Sequence, residues 1–201
     1  MTATSDDLIR ALTIKGSAAV DALASALTSN PKDVQPVIDR LVKEGLVERK
    51  ATAFRLTSKG KARGRELLAA DRDRWGSKNA IAALQAFHLL DQRMKETVTA
   101  WQMREVGGQQ VLNDHADPIY DRRVLGRLTA LHQDTNDWLS SLRTAPKSVN
   151  QYLARLDRAL QSARFDERFI ASPAVDSYHG VWFELHEALM QLAGRTRSEA
   201  L

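Results

Sequence analysis

The residues best equipped for chemistry fall into two groups. The first is a run of cations. Between residues 40 and 65, nine Lys and Arg stand against Glu44 and Glu48. Positive charge at that density suits a polyanion, and nucleic-acid phosphate is the natural partner. The second group lies further along, where all five histidines are found: His88, His115, His132, His179 and His186. Imidazole can hold a proton, a metal or a ligand near neutral pH. Asp91 interrupts an apolar stripe between Phe87 and Met94, and His132 and Thr135 interrupt another between Leu128 and Leu139. A carboxylate or imidazole turned into a core needs a partner, because burying it unpaired is costly. If the two helices run antiparallel, Asp91 and His132 could meet inside a bundle. A structural Asp–His pair is the plainer reading. The functional one is a ligand cavity between helices, walled by Trp101, Trp138, Tyr178 and Trp182.

Other constellations carry less. Asn113-Asp114-His115-Ala116-Asp117 sets two carboxylates around a histidine, and reads first as a helix-capping loop. His179, Glu184 and His186 have metal-ligand chemistry, but Glu184 falls off the histidine face, and neither HExxH nor a repeated ExxH is present. No metal and no cofactor is expected. There is no nucleophile elbow, phosphate loop or GxGxxG, and Gly107-Gly108 reads as a helix stop. No residue is assigned a catalytic role.

The elements that must position the cations can be read locally. Ser17 is a plausible N-cap for a helix carrying Val20, Leu23 and Leu27. Asn30 and Pro31 suit the N-cap and first position of the next helix, and Asp33 faces the positive end of its dipole. Val34, Val37, Ile38 and Leu41 form its apolar face, with Lys32, Gln35, Asp39, Arg40 and Lys43 off it. Pro36 lies inside this helix, so either the helix starts a turn later or it is kinked. Gly45 suits the helix end. Residues 46–50 and 54–57 then read as two strands, and Thr57 caps a helix to about Arg74.

VIDRLVKEGLVERK followed by FRLTSKG resembles the recognition helix, wing and following helix of MarR-like bacterial transcriptional regulators. The resemblance covers about the first third of the chain. It implies a winged helix-turn-helix that sets one helix in the major groove of DNA. In that arrangement Lys32 and Gln35 are candidates for base edges, while Arg40, Lys43, Arg49, Lys50, Arg55, Lys59 and Lys61 would neutralise phosphates. A second resemblance lies further on. VTAWQMR, LNDHADPIYD and DSYHGVWFELHEAL are similar to a helical segment of actinobacterial proteins, some of them related to pyruvate phosphate dikinase. It implies a metabolite-sensing or accessory role for Trp101, Gln102, Arg104, Asn113, Asp114, His115, Tyr178, His179 and Trp182.

Charge and composition complete the expectation. Residues 1–77 hold 14 Lys/Arg against 10 Asp/Glu, whereas residues 78–201 hold 15 of each. There is no cysteine, so neither a disulfide framework nor a thiolate metal site can form. The start lacks the basic-then-apolar order of a signal peptide, and no apolar run approaches the roughly 20 residues of a membrane span. A cytoplasmic protein is expected. After a junction at 71–78, four helical patterns follow: about 79–105, one from Asp117-Pro118, one from Pro146, and one from Ser172-Pro173 or Asp176 to Gly194. The fold class is mainly α: a winged helix-turn-helix with a two-stranded wing over 1–75, then an antiparallel helical bundle over 76–201. The expected function is a sequence-specific DNA-binding transcriptional regulator, a homodimer on a pseudo-palindromic double-stranded operator. A small-molecule effector would bind the bundle at Asp91, Trp101, Arg104, His115, His132, Tyr178, His179 and Trp182. The competing readings are an enzyme, with Asp91, His115 or His132 as acid or base, and a protein-interaction module whose winged helix only docks.

Overall fold

Thr4 starts the first element. Its hydroxyl accepts from the Asp7 amide, and the Asp7 carboxylate accepts from the Thr4 amide. This reciprocal cap satisfies two amides that a helix start leaves open. The helix it opens, α1 (Ser5–Lys15), buries Leu8, Ile9 and Leu12. The computed structural model describes residues 3–195, so the last six residues of the expected C-terminal segment lie outside the described residues. The chain is mainly α, with small antiparallel sheets.

A two-residue strand, β1 (Ser17–Ala18), follows α1. Ser17, expected to cap the next helix, instead pairs with Arg55 in the sheet, and Ala19 takes the N-cap of α2 (Val20–Ala26). The next helix, α3 (Pro31–Lys43), begins where the sequence places it, because the Asn30 side chain accepts from the Lys32 amide at 2.9 Å. It does not start a turn late. Pro36 sits within it, exposed, and leaves the Lys32 carbonyl without its usual amide partner. Strands β2 (Val47–Lys50) and β3 (Ala53–Leu56) form a hairpin, and the sheet order is β1-β3-β2. Thr57 then caps α4 (Ser58–Trp75). The helix start lies so close to the hairpin that a Cβ on Gly60 would stand 1.9 Å from the Leu46 carbonyl oxygen. Only glycine fits there.

The second half carries α5 (Ser77–Gln102), α6 (Pro118–Ser141), α7 (Lys147–Ser162), the single-turn α8 (Arg168–Ala171) and α9 (Tyr178–Leu192). Helix α5 packs on α6 and α9, and α7 packs on α6 and α9, closing a four-helix ring. The expected helix over 79–105 stops early. Its last residues form β4 (Met103–Val106), paired with β5 (Gln109–Leu112). Gly107 and Gly108, with φ of +59° and +79°, make the two-residue turn between them rather than a helix stop.

Two apolar cores result. One joins α1, α2, α3 and the three-stranded sheet and ends at Leu67. The other begins at Leu68 and runs through α5, α6, α7 and α9. The division therefore falls inside α4, which serves both. Between the cores lies a buried polar joint. Arg155, 3% exposed, donates to Glu184 at 2.8 Å and to Asp176 at 2.7 Å. From the first unit, Lys15 pairs with the same Glu184, and the Ser25 hydroxyl donates to the same Asp176 at 2.7 Å. Burial opposes the Arg155 charge, but the hydrogen bonds and charges of Glu184 and Asp176 outweigh it and hold its pKa above the ordinary value.

Candidate nucleic-acid interface and ligand-binding residues

The apolar face of α3 is Val34, Ile38 and Leu41, all buried. The 3.6-residue period then puts Lys32, Gln35, Asp39, Arg40 and Lys43 outside. In the hairpin the period of two turns Phe54 and Leu56 inward and leaves Arg55 exposed between them. Lys32, Gln35, Arg40, Lys43, Arg49, Lys50, Arg55, Lys59 and Lys61 are all exposed. They share the outer faces of α3, β2, β3 and the start of α4.

Their engagement differs. Arg55 pairs with Glu48 across the hairpin at 2.6 Å. The Gln35 amide donates to Asp39 at 2.8 Å, and Arg40 donates to the Ser5 hydroxyl at 2.8 Å. Lys59 donates to the Glu44 carbonyl at the end of α3. Arg49 lies over the Phe54 ring, 5.9 Å from its centroid. An anion would find Lys32, Lys43, Lys50 and Lys61 ready, and would compete with Glu48 for Arg55. Arg63 and Arg65, not assigned from sequence, extend the same helix start, although Arg63 is held by Asp6 and Glu66.

The eight residues proposed for an effector do not converge. Asp91 and His132 both face inward, but they do not pair with each other. The Asp91 carboxylate, 5% exposed, accepts from Trp182 Nε1 at 3.0 Å and from Lys95 at 2.9 Å, with His186 at 3.8 Å. Burial alone would raise the Asp91 pKa. The Lys95 and Trp182 hydrogen bonds and the nearby His186 win, and hold it below the usual carboxylate value. His132 donates from Nε2 to Asp157 at 2.8 Å and accepts at Nδ1 from the Tyr178 hydroxyl at 3.3 Å. The expected aromatic wall is packed core: Tyr178 is 0% and Trp182 2% exposed, and Phe87 fills the space beside Trp182 at a ring separation of 4.9 Å.

His179 lies apart, in a groove between the two units beside Lys15, Ala18 and Phe183. Burial pushes its pKa down, partly opposed by the Asp91 charge. Glu184 is committed to Lys15 and Arg155, so His179, Glu184 and His186 do not gather around one point.

The remaining three, Trp101, Arg104 and His115, do assemble, around the loop before α6. Arg104 pairs with Asp114 at 2.9 Å, and the His115 ring lies on Trp101 with centroids 4.3 Å apart. Asp117 caps α6 by accepting from the Ile119 and Tyr120 amides at 3.0 Å, as the capping reading of this loop expects. Two further residues complete the arrangement. Buried Asn113 donates to the Trp101 carbonyl at 3.1 Å and to Asp121 Oδ1 at 2.8 Å. Asp121 Oδ2 stands 3.1 Å from His115 Nδ1. In the sequence, Asp121 is legible only as a helix residue six positions past the histidine.

Among the described residues no helix is long and apolar enough to cross a membrane. Compared with known proteins, the chain matches no family model, no curated protein and no solved structure.

Proposed function

We propose that the chain is a cytoplasmic, sequence-specific DNA-binding transcriptional regulator of the winged helix-turn-helix kind. One observation carries this reading: exposed cations are concentrated on α3, the β2–β3 hairpin and the start of α4, while the apolar side of each faces the core. Helix α3 would enter the major groove, with Lys32 and Gln35 toward base edges and the hairpin toward an adjacent groove. Gln35 must then exchange Asp39 for a base.

A homodimer would set two such helices about one DNA turn apart on a pseudo-palindromic operator. Val106, Leu112 and Ile119, exposed around the β4–β5 hairpin, offer apolar surface of the kind self-association covers. A small molecule bound in the helical region would alter DNA affinity only by favouring one relation of the two units over another. The joint built on Arg155 is where such a change would be transmitted.

The test is selection of duplex fragments from a random library by the full chain, followed by binding of the enriched sequence. A two-fold symmetric consensus with salt-sensitive affinity is expected. Failure to enrich any duplex at low salt would refute the reading.

A further inference from the structure

His115 has a backbone φ of +58°, a left-handed conformation that side chains other than glycine adopt at a cost. Strain of this kind persists where surrounding bonds enforce it. Here they do more: they fix which nitrogen of the imidazole carries the proton. The His115 amide donates to Asn113 Oδ1 at 3.2 Å, which orients the Asn113 side chain. Asn113 Nδ2 has three polar neighbours: Asp121 Oδ1 at 2.8 Å, the Trp101 carbonyl at 3.1 Å and His115 Nδ1 at 3.2 Å. Its two hydrogens serve the two oxygens, which can only accept, and none is left for the ring nitrogen. Asp121 Oδ2 has only lone pairs to offer, so His115 Nδ1 must be the donor to it. The neutral ring therefore presents an unprotonated Nε2 on its other side.

The ring lines an open cleft of about 680 Å³ together with Trp101, Leu125, Arg122, Arg164 and Phe165. That size falls in the range of roughly 300–1,000 Å³ typical of small-molecule sites. The acidic groups in the cleft are mostly spent. Asp121 is held by His115 and Asn113, and Asp166 is held by Arg168 at 2.7 Å, leaving Glu167 on the rim. No hydrogen bond or ion pair engages the Arg122 or Arg164 guanidinium among the described residues. Phe165 stands 92% exposed, an apolar ring with nothing over it.

We propose that this cleft binds a small oxyanion, a carboxylate or a phosphate, carried on a planar apolar body. Arg122 and Arg164 donate to the anionic oxygens. His115 Nε2 accepts from the acid form or, once protonated, donates to the anion, and Asp121 then stabilises the imidazolium. Trp101, Leu125 and Phe165 cover the apolar body. As the effector site of the proposed regulator, the cleft rests on that reading; as a binding site it does not.

The experiment is a titration of the full chain with phenyl phosphate and, separately, with benzoate, followed in long-range proton–nitrogen spectra of the imidazoles. His115→Gln identifies the His115 signals. The free protein should show the His115 proton on Nδ1, and at least one probe should shift Nε2 saturably. Which probe binds more tightly tells phosphate from carboxylate. Replacing both exposed arginines, Arg122→Ala with Arg164→Ala, should leave the helical circular-dichroism spectrum intact and weaken binding about tenfold or more. Phe165→Ser should weaken phenyl phosphate and leave inorganic phosphate unchanged. The proposal is overturned if neither probe moves His115 up to about 10 mM, or if the double arginine variant binds as the parent does. Duplex DNA titrated in parallel separates the two claims. Probe binding without DNA affinity removes the regulator and keeps the cleft, and DNA affinity without probe binding does the reverse.

Discussion

The two units treat charge in opposite ways. In the first, the lysines and arginines of α3, the hairpin and the first turn of α4 stand in solvent, and among the described residues Lys32, Lys43, Lys50 and Lys61 form no ion pair, while Arg55 pairs with Glu48. In the second, the decisive polar groups are buried and matched: Asp91 with Trp182 and Lys95, His132 with Tyr178 and Asp157, Arg155 with Glu184 and Asp176. An exposed cation contributes little to folding but can release counterions from a polyanion. A buried, paired charge holds a geometry and is costly to break. On the proposed reading the exposed cations of the first unit meet a polyanion, whereas the buried pairs of the second hold its shape and leave charge such as Arg122 and Arg164 to its surface. The contrast has measurable edges.

The largest effect is expected at the joint. Arg155→Met removes the cation from two carboxylates that Lys15 and Ser25 only partly satisfy. Denaturant unfolding should show a loss of about 3–5 kcal/mol, the usual consequence of leaving buried charge unpaired. A loss under about 1 kcal/mol would mean that the joint is solvated and the units are not locked together. Asp91→Ala comes next. It orphans the Trp182 indole N–H in the core, and a cost of about 1–3 kcal/mol is expected in the same assay. DNA affinity should survive wherever that variant remains folded.

Acid should act through Asp91 and Asp176. The folded-state pKa values of Asp91 and Asp176 both lie below the ordinary carboxylate value; for each, burial pushes upward and hydrogen-bonded cations prevail. Groups shifted down in the folded state contribute stability that is present above the unfolded value, about 4, and lost as pH falls through the folded one. Thermal melts should therefore drop steeply below about pH 4, and Asp176→Asn should flatten that drop. A parent whose melting point is level across this range would contradict the pairing.

The smallest effect is at the hairpin tip, where Ala51 has a φ of +55°. Ala51→Gly removes that strain at the expense of a freer unfolded chain, so a gain under about 1 kcal/mol is expected. DNA affinity should change little, since the tip cations remain.

How much is legible in the sequence follows the range of the interactions. The start of α3 is readable because Asn30 and Pro31 act on their own helix, and so is its end at Gly45. Helix α1 is a local signal that the basic stretch outshines: Thr4 and Asp7 carry a capping signature, but it lies well before the first cation-rich element. Strand β1 has two residues, too few for a period, and exists because β3 is there to pair with it. Gly107-Gly108 suits a helix stop and a hairpin turn equally, and only the pairing of β4 with β5 decides between them. The inward aim of Asp91 and His132 is visible as breaks in apolar stripes. Their partners are not, since Trp182, Asp157 and Tyr178 come from distant helices. The Asp121–His115 contact is local, yet it needs the left-handed turn at His115, which no spacing announces.

The central claim is that the exposed cations of the first unit meet nucleic-acid phosphate. The direct measurement is fluorescence anisotropy of a labelled duplex, titrated with the full chain at several salt concentrations. The comparison is a variant carrying Lys43→Gln, Lys50→Gln and Lys61→Gln. The parent should bind with log affinity falling linearly in log salt, and the variant's slope should be shallower by about 0.9 for each phosphate it no longer neutralises. Stability should be nearly unchanged, because all three side chains are exposed. A parent that does not bind duplex DNA at low salt, or a variant whose slope equals the parent's, would contradict the account.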